Sequence, residues 1–243
     1  MIVRRFYVPP GSINGDAVTL RNREAHHAAV VLRLKPGERV VIVDGSRAEH
    51  IVELTAVTRR EVTGRVVKRR PGSAIPVEIV LVQSVAKGAK MDDVIRMGTE
   101  LGVAAFIPVL TKRTVAEGKG RTERWRRIAV QAAKQSRRTD APSVSDPVPF
   151  ADAIERVAGT GLVLILWEGE QTRTIGQALR DAPAPARVIV IVGPEGGFEP
   201  DEVTSAVARG AQAVSLGPLV LRTETAGAAA VSMVLYELGL RPA

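Results

Sequence analysis

The most regular feature of the chain is an unbroken apolar run in its last third. Val188-Ile189-Val190-Ile191-Val192 is five consecutive β-branched residues, followed at once by Gly193-Pro194-Glu195-Gly196-Gly197. An apolar run of this kind suits a strand buried on both faces, as in a parallel sheet. From Ile75 onward, similar runs alternate with segments of helical period, which predicts an α/β domain built on a parallel sheet. The predicted strands are Val77–Val85, Ala105–Leu110, Leu162–Trp167, Arg187–Val192 and Ala213–Leu216. The predicted helices are Met91–Leu101, Arg121–Arg138, Ile175–Arg180, Pro200–Arg209 and Ala226–Leu238. Residues 143–161 carry no recognisable pattern.

The first part of the chain reads differently. Arg4–Val8 begins as a short strand and stops at Pro9-Pro10-Gly11, and Glu24–Leu34 is a short helical segment ended by Lys35-Pro36-Gly37. Strand-like runs follow at Arg39–Val43, His50–Thr58 and Glu61–Val67, with Asp44-Gly45 as a hairpin-turn signal between the first two. Residues 1–73 are therefore expected to form a small β-rich domain and residues 74–243 the α/β domain. The basic, Pro/Gly-ended stretch Lys68-Arg69-Arg70-Pro71-Gly72-Ser73 is expected to link them.

Charge adds a partner class. The 243 residues carry 34 Lys and Arg against 26 Asp and Glu, a formal net charge of +8. Such a balance favours a polyanionic partner, because basic side chains neutralise phosphates and release counterions. Most of the basic residues are Arg, which forks onto phosphate and stacks on bases. No apolar run approaches the roughly 20 residues of a membrane span, and the N-terminus lacks the apolar core of a signal peptide. Residence in the cytoplasm is the expectation, with no membrane partner. With no Cys there is no thiolate metal site, and no metal is expected. His26 and His27 are adjacent, about 100° apart on a helix, and so share one ligand poorly. A structural or RNA-contact role suits His27 better than catalysis.

Candidate chemistry lies at two junctions. Gly193–Gly197 taken alone is ordinary turn chemistry. The second junction runs Ser215-Leu216-Gly217-Pro218-Leu219-Val220-Leu221-Arg222-Thr223-Glu224-Thr225, directly before the small-residue segment Ala226–Val231. Both follow predicted strands, and open α/β sheets bind ligands outside the carboxyl ends of their strands. There is no G-x-x-x-x-G-K-[ST] run, which argues against a nucleotide hydrolase.

These two motifs together resemble the RsmE family of the SPOUT class of RNA methyltransferases. Further positions resemble that family along nearly the whole chain. In the first part these are Arg5-Phe6-Tyr7, His27 with Val31-Leu32-Arg33, Pro36-Gly37 and Asp44-Gly45. Later come Lys87, Lys90, Asp92, Thr99–Val103, Pro108, Arg113, Lys119, Trp125, Gln135-Ser136, Arg138 and Pro142. The resemblance implies a PUA-like RNA-binding β-barrel over residues 1–73, then a SPOUT domain whose parallel sheet ends in a C-terminal trefoil knot. It implies methylation of N3 of a uridine in 16S, small-subunit, ribosomal RNA, presented either as naked rRNA or in the assembled 30S subunit. The implied methyl donor is S-adenosyl-L-methionine and the implied assembly a homodimer.

The cofactor residues carried over from the resemblance are Leu166, Gly193, Pro194, Glu195, Gly196, Leu216, Gly217, Leu219, Leu221, Thr225 and Ala226. For Leu216, Leu219 and Leu221 simple core packing is nearly as good a reading. Uridine N3 holds a proton at neutral pH, so its alkylation needs a base or a cation that stabilises the uridylate. Arg222 is the first candidate for that cation and Glu224 for the base, with Glu195 behind it; a loop-shaping cap or salt bridge is the competing role for Glu224. Arg4, Arg5, Arg33, Arg113 and Arg138 are candidate RNA contacts, of the kind that position a backbone rather than read its sequence. Two alternatives stay open: a ribose 2′-O-methyltransferase of the same fold, and a non-catalytic RNA-binding ribosome-assembly protein.

Overall fold

The computed structural model describes residues 4–9, 11–72, 75–115 and 120–239. Pro10, Lys119 and the expected boundary at residues 73 and 74 lie outside the described residues. Two compact units are present, one of Met1–Ala74 with Arg137–Ala141 and one of Ile75–Ser136 with Pro142–Ala243.

The first unit is one curled sheet. Its strands are β1 (Arg5–Tyr7), β2 (Ile13–Asn14), β3 (Ala17–Arg21), β4 (Arg39–Val43), β5 (Ala48–Val57) and β6 (Glu61–Pro71), in the order β1-β4-β5-β6-β3-β2. The ladder does not close into a barrel among the described residues; β1 joins it by a parallel pairing with β4 and the other pairs are antiparallel. Period-two alternation buries Val18 and Leu20 of β3, Val52 and Leu54 of β5, and Val62 and Val66 of β6 in one core with Phe6. The expected linker is not a linker: Lys68, Arg69 and Arg70 continue β6 and pair with β5. The expected helix Glu24–Leu34 is α1 (Asn22–His26) followed by a π-turn, His27–Val31. His26 and His27 are both exposed, and the ring of His27 stands edge-on to Phe6 with centroids 6.0 Å apart.

The second unit holds a seven-stranded sheet in which every pairing is parallel. Its strands are β7 (Glu78–Ser84), β8 (Ala105–Leu110), β9 (Ser143–Val144), β10 (Val148–Pro149), β11 (Leu162–Leu166), β12 (Arg187–Val192) and β13 (Gln212–Val214), ordered β10-β8-β7-β12-β11-β13 with β9 beside β8. The Val188–Val192 run sits centrally in β12, and all five residues are 0–2% exposed. Burying each such side chain contributes about 1.5–3 kcal/mol relative to leaving it in water.

Helices cover both faces. On one lie α2 (Lys90–Glu100), α3 (Thr122–Gln135), α5 (Ile175–Asp181) and α7 (Thr223–Val234). On the other lie α4 (Phe150–Val157) and α6 (Pro200–Ala208). Two expectations change here. The basic helix ends at Gln135, not Arg138, because Arg137 takes a left-handed conformation with φ of 60°. The last helix starts at Thr223, three residues early, because Thr225 and Ala226 both donate their amides to the Arg222 carbonyl at 2.8 Å. The unread stretch 143–161 supplies β9, β10 and α4. No helix among the described residues is long and apolar enough to cross a membrane.

Candidate functional site

Three neighbouring strands, β12, β11 and β13, end on one edge of the sheet. Their last residues Val192, Leu166 and Val214 form part of the wall of a cavity of about 630 Å³. The rest of the wall comes from Ala226 of α7 and from three loops: Trp167–Thr174 after β11, Gly193–Phe198 after β12, and Ser215–Thr223 after β13. Nine of the eleven cofactor candidates line the cavity: Leu166, Gly193, Pro194, Glu195, Leu216, Gly217, Leu219, Leu221 and Ala226. Gly196 and Thr225 do not. The Gly196 carbonyl instead accepts from Arg113 Nη1 at 2.6 Å.

Local chemistry shapes each loop. Gly197 donates its amide to the Pro194 carbonyl at 3.0 Å, closing a tight turn. Its φ is +71°, a left-handed conformation that glycine adopts without the strain other side chains would bring. Gly217, with φ of +122°, reverses the chain after β13. The Ser215 hydroxyl supports that reversal by accepting the Gly217 amide at 3.1 Å.

A buried polar strut ties the loops together, and sequence reasoning missed it. Gln83, fully buried on β7, donates from Nε2 to Thr223 Oγ1 at 2.9 Å. Thr223 Oγ1 in turn donates to the Gly193 carbonyl at 2.6 Å. Loop Ser215–Thr223 is thereby held against loop Gly193–Phe198 by one hydroxyl. No local signal marks Gln83, which lies 140 residues from its partner.

Lys90 forms a second tie. Its ammonium lies 3.0 Å from Glu195 Oε1 and 3.9 Å from Glu224 Oε2. A cation in the first turn of α2 opposes the helix dipole, so it is placed there for its carboxylate partners. Burial acts to raise the pKa of Glu195, but hydrogen bonds from Lys90 and from the Lys87 amide outweigh it and hold the carboxyl below its usual range. Lys90→Met is expected to return the Glu195 carboxyl toward its ordinary value in a carbon-13 NMR titration; an unchanged titration would remove Lys90 as its cation.

Glu170 anchors the third loop. The Thr172 hydroxyl, then the Arg173 and Thr172 amides, donate to its carboxylate and lower its pKa from 4.5 to about 2. A depressed carboxyl pKa stabilises the folded loop above the unfolded value, and that contribution is lost as pH falls through the folded one. The loop is therefore expected to keep its full stability above pH 4.5 and to lose it between there and pH 2. Amide protection factors of Thr172 and Arg173, corrected for intrinsic exchange, check this across that window; protection unchanged down to pH 2 would contradict it.

Arg222 is exposed and makes no ion pair among the described residues, so its charge is uncommitted. Glu224 is partly buried, with Oε2 buried and without a hydrogen-bond partner. Neither lines the cavity; Thr223, between them, does. The five candidate RNA contacts are mostly engaged already. Arg4 pairs with Glu38, Arg5 with Glu49, Arg113 with Glu199 and Arg138 with Asp140. Arg33 is exposed, with φ of 52°.

The cavity suits a nucleoside that carries a charged tail. Leu166, Val192, Val214, Leu216 and Ala226 offer an apolar slot, while Glu168, Glu170 and Glu195 bring three carboxylates to the same wall. An apolar slot with a few placed polar groups is the usual composition of a cofactor site, and the carboxylates favour a ligand bearing positive charge.

Comparison with known proteins agrees with this geometry. A family model described as an RNA methyltransferase domain matches residues 73–235. A second, described as an RNA methyltransferase PUA domain, matches residues 20–67. The chain is 35% identical over 245 residues to ribosomal RNA small subunit methyltransferase E of Mycobacterium bovis, covering 96% of this chain and 92% of that one. It is 33% identical to the Synechocystis protein of the same name, over 95% of this chain and 76% of that one. Among solved structures, it resembles a ribosomal RNA small subunit methyltransferase E from Neisseria gonorrhoeae bound to S-adenosyl methionine. That match has a TM-score of 0.84 and 30% identity and covers 98% of both chains.

Proposed function

The chain belongs to the family of ribosomal RNA small subunit methyltransferase E, and from that premise we propose that the atom it methylates is N3 of a uridine. It is a methyltransferase of small-subunit ribosomal RNA, and S-adenosylmethionine, when bound, supplies a methyl group on a positively charged sulfur. The observation that carries the reading is the cavity at the carboxyl ends of β11, β12 and β13, walled by both glycine-containing loops.

In this reading Leu166, Val192, Val214, Leu216 and Ala226 hold the nucleoside portion of the cofactor, with backbone groups of Gly193, Pro194 and Gly217. Glu195 faces the positive charge, and Leu219, Leu221, Thr225 and Gly196 complete the surrounding shell. Holding donor and acceptor in line at near-attack distance is the main work of the site. Arg222 stabilises the negative charge that develops on the uridine oxygens as N3 loses its proton. Glu224, whose Oε2 has no hydrogen-bond partner among the described residues and faces the Lys90 ammonium at 3.9 Å, is the proton acceptor.

The resemblance to SPOUT enzymes further leads us to propose a trefoil knot in the last third. The strand order supports it: after edge strand β13 the chain returns past β11 to bond Thr223 to Gly193 of β12's loop. A homodimer is also proposed. Leu219 and Val220, 77% and 86% exposed, with Tyr236 at 67%, form apolar surface that a second copy would cover. The curled sheet of the first unit is read as the RNA-binding module, with Arg33 among its contacts and either naked rRNA or the 30S subunit as substrate. A cytoplasmic location is proposed with it, as the compartment of the ribosomal RNA substrate.

Mass spectrometry of small-subunit rRNA from cells lacking this protein tests the reading. Loss of one 3-methyluridine, restored by the wild-type chain, is expected. Loss of a 2′-O-methyl nucleoside instead would overturn the N3 assignment.

A further inference from the structure

The positive charge of this chain is unevenly divided. The first unit carries 16 Lys and Arg against 8 Asp and Glu, and the second 18 against 18, so the net charge of +8 sits on the first unit. Within that unit five arginines gather around two carboxylates. Glu49 on β5 pairs with Arg5 of β1 and, at 3.4 Å, with Arg70 of β6. Asp140 pairs with Arg47 at 3.4 Å and with Arg138 at 3.1 Å. Backbone contacts join the two groups. Arg5 Nη1 donates to the Arg137 carbonyl at 3.1 Å, and the Gly72 amide, just past β6, donates to the Arg47 carbonyl at 2.9 Å.

Pairing does not neutralise this group, because each carboxylate is shared by two guanidiniums and Arg137 makes no ion pair among the described residues. Three positive charges are left over, and they are accessible. The side chains of Arg47 and Arg70 are 75% and 48% exposed, and Arg137 is exposed. The backbone supplies a second, independent observation. Arg47 and Arg137 take φ of 59° and 60°, a left-handed conformation that strains any residue with a Cβ and that glycine adopts freely. Strained backbone of this kind persists where a side chain serves a function. The cluster therefore weakens the fold by strain and by self-repulsion, and a polyanionic partner relieves the second.

We propose that the cluster of Arg5, Arg47, Arg70, Arg137 and Arg138 holds the phosphodiester backbone of the rRNA substrate. Successive phosphates bring several negative charges at close spacing, which is what a surplus of three cations needs, and their counterions are released on binding. Contacts of this class position a strand without reading its bases. The choice of RNA rests on the rRNA-methyltransferase reading; the charge surplus and the strained arginines do not.

Arg47→Gly and Arg137→Gly, each in the full-length chain, test this by fluorescence anisotropy of a labelled single-stranded RNA oligonucleotide across a range of salt concentrations. Each variant should bind about fivefold more weakly at about 0.1 M salt, with the slope of log affinity against log salt shallower by about 0.7. Each should also melt about 2–4 °C higher, because glycine relieves the left-handed backbone. Arg47→Lys and Arg137→Lys keep the charge and should keep the wild-type salt slope, which counts charges. Glycine variants that bind RNA like the wild type would overturn the proposal, and so would lysine variants that lose the slope. Lost binding together with a lower Tm would make these arginines structural and overturn it as well. Poly-glutamate that binds as tightly as the RNA, and is weakened by the same variants, would assign the surface to an acidic protein instead. S-adenosylmethionine titrations on the same samples separate the two readings: a chain that binds cofactor while its glycine variants hold RNA unchanged loses only this surface.

Discussion

Arg222→Ala is expected to slow methyl transfer roughly a hundredfold to a thousandfold, the usual cost of losing one preorganised charge-stabilising group. Cofactor affinity should change no more than about twofold, as for an exposed substitution away from a packed site. The split follows from position: Arg222 lies next to the cavity wall but is not part of it, and its guanidinium has no carboxylate partner among the described residues. Single-turnover rates with saturating cofactor, beside calorimetric cofactor titrations, measure the two effects independently. Parallel losses in rate and affinity would mean that Arg222 shapes the cofactor site rather than the reaction.

Thr223→Val should damage the site by a different route. Valine keeps the shape but neither donates to the Gly193 carbonyl nor accepts from Gln83 Nε2. The fully buried Gln83 amide already has an unpaired Oε1, and its Nε2 would keep only the Ser84 carbonyl. Stranding buried polar groups costs about 1–3 kcal/mol each, here at the contact that holds the two loops together. The expected result is a lower Tm together with cofactor affinity reduced about tenfold or more, by the same free-energy range. Thr223→Ser should restore most of both. Unchanged affinity in the valine variant would show that the loops keep their arrangement without the strut.

Much of this was legible in the sequence because it is local. Five β-branched residues in a row announce a strand buried on both faces, and β12 lies at residues 187–192 as read. The turn glycines and the Ser215–Leu221 run stand at strand ends, where ligands bind, and they line the cavity, whereas of Arg222–Thr225 only Thr223 does. What escaped was either short or distant. Phe150, Ala153, Ile154 and Val157 do follow helical spacing and are buried, yet an eight-residue helix offers too few turns to stand out. The Lys68–Ser73 stretch has linker composition, but a strand partner, β5, decides its conformation. Gln83, Lys90 and the Glu170 loop have meaning only through partners brought close by the fold. Charge counting has a similar blind spot: it registers Arg4, Arg5, Arg113 and Arg138 as available cations and cannot see the carboxylates that engage them.

The central claim is that this cavity carries methyl transfer to uridine N3. Labelled S-adenosylmethionine, incubated with the full chain and undermethylated small subunits or naked rRNA, tests it most directly once the product nucleoside is identified. The account predicts labelled 3-methyluridine, strongly reduced by Arg222→Ala. Label on a ribose oxygen, or no transfer to either substrate while the cofactor still binds, would contradict it.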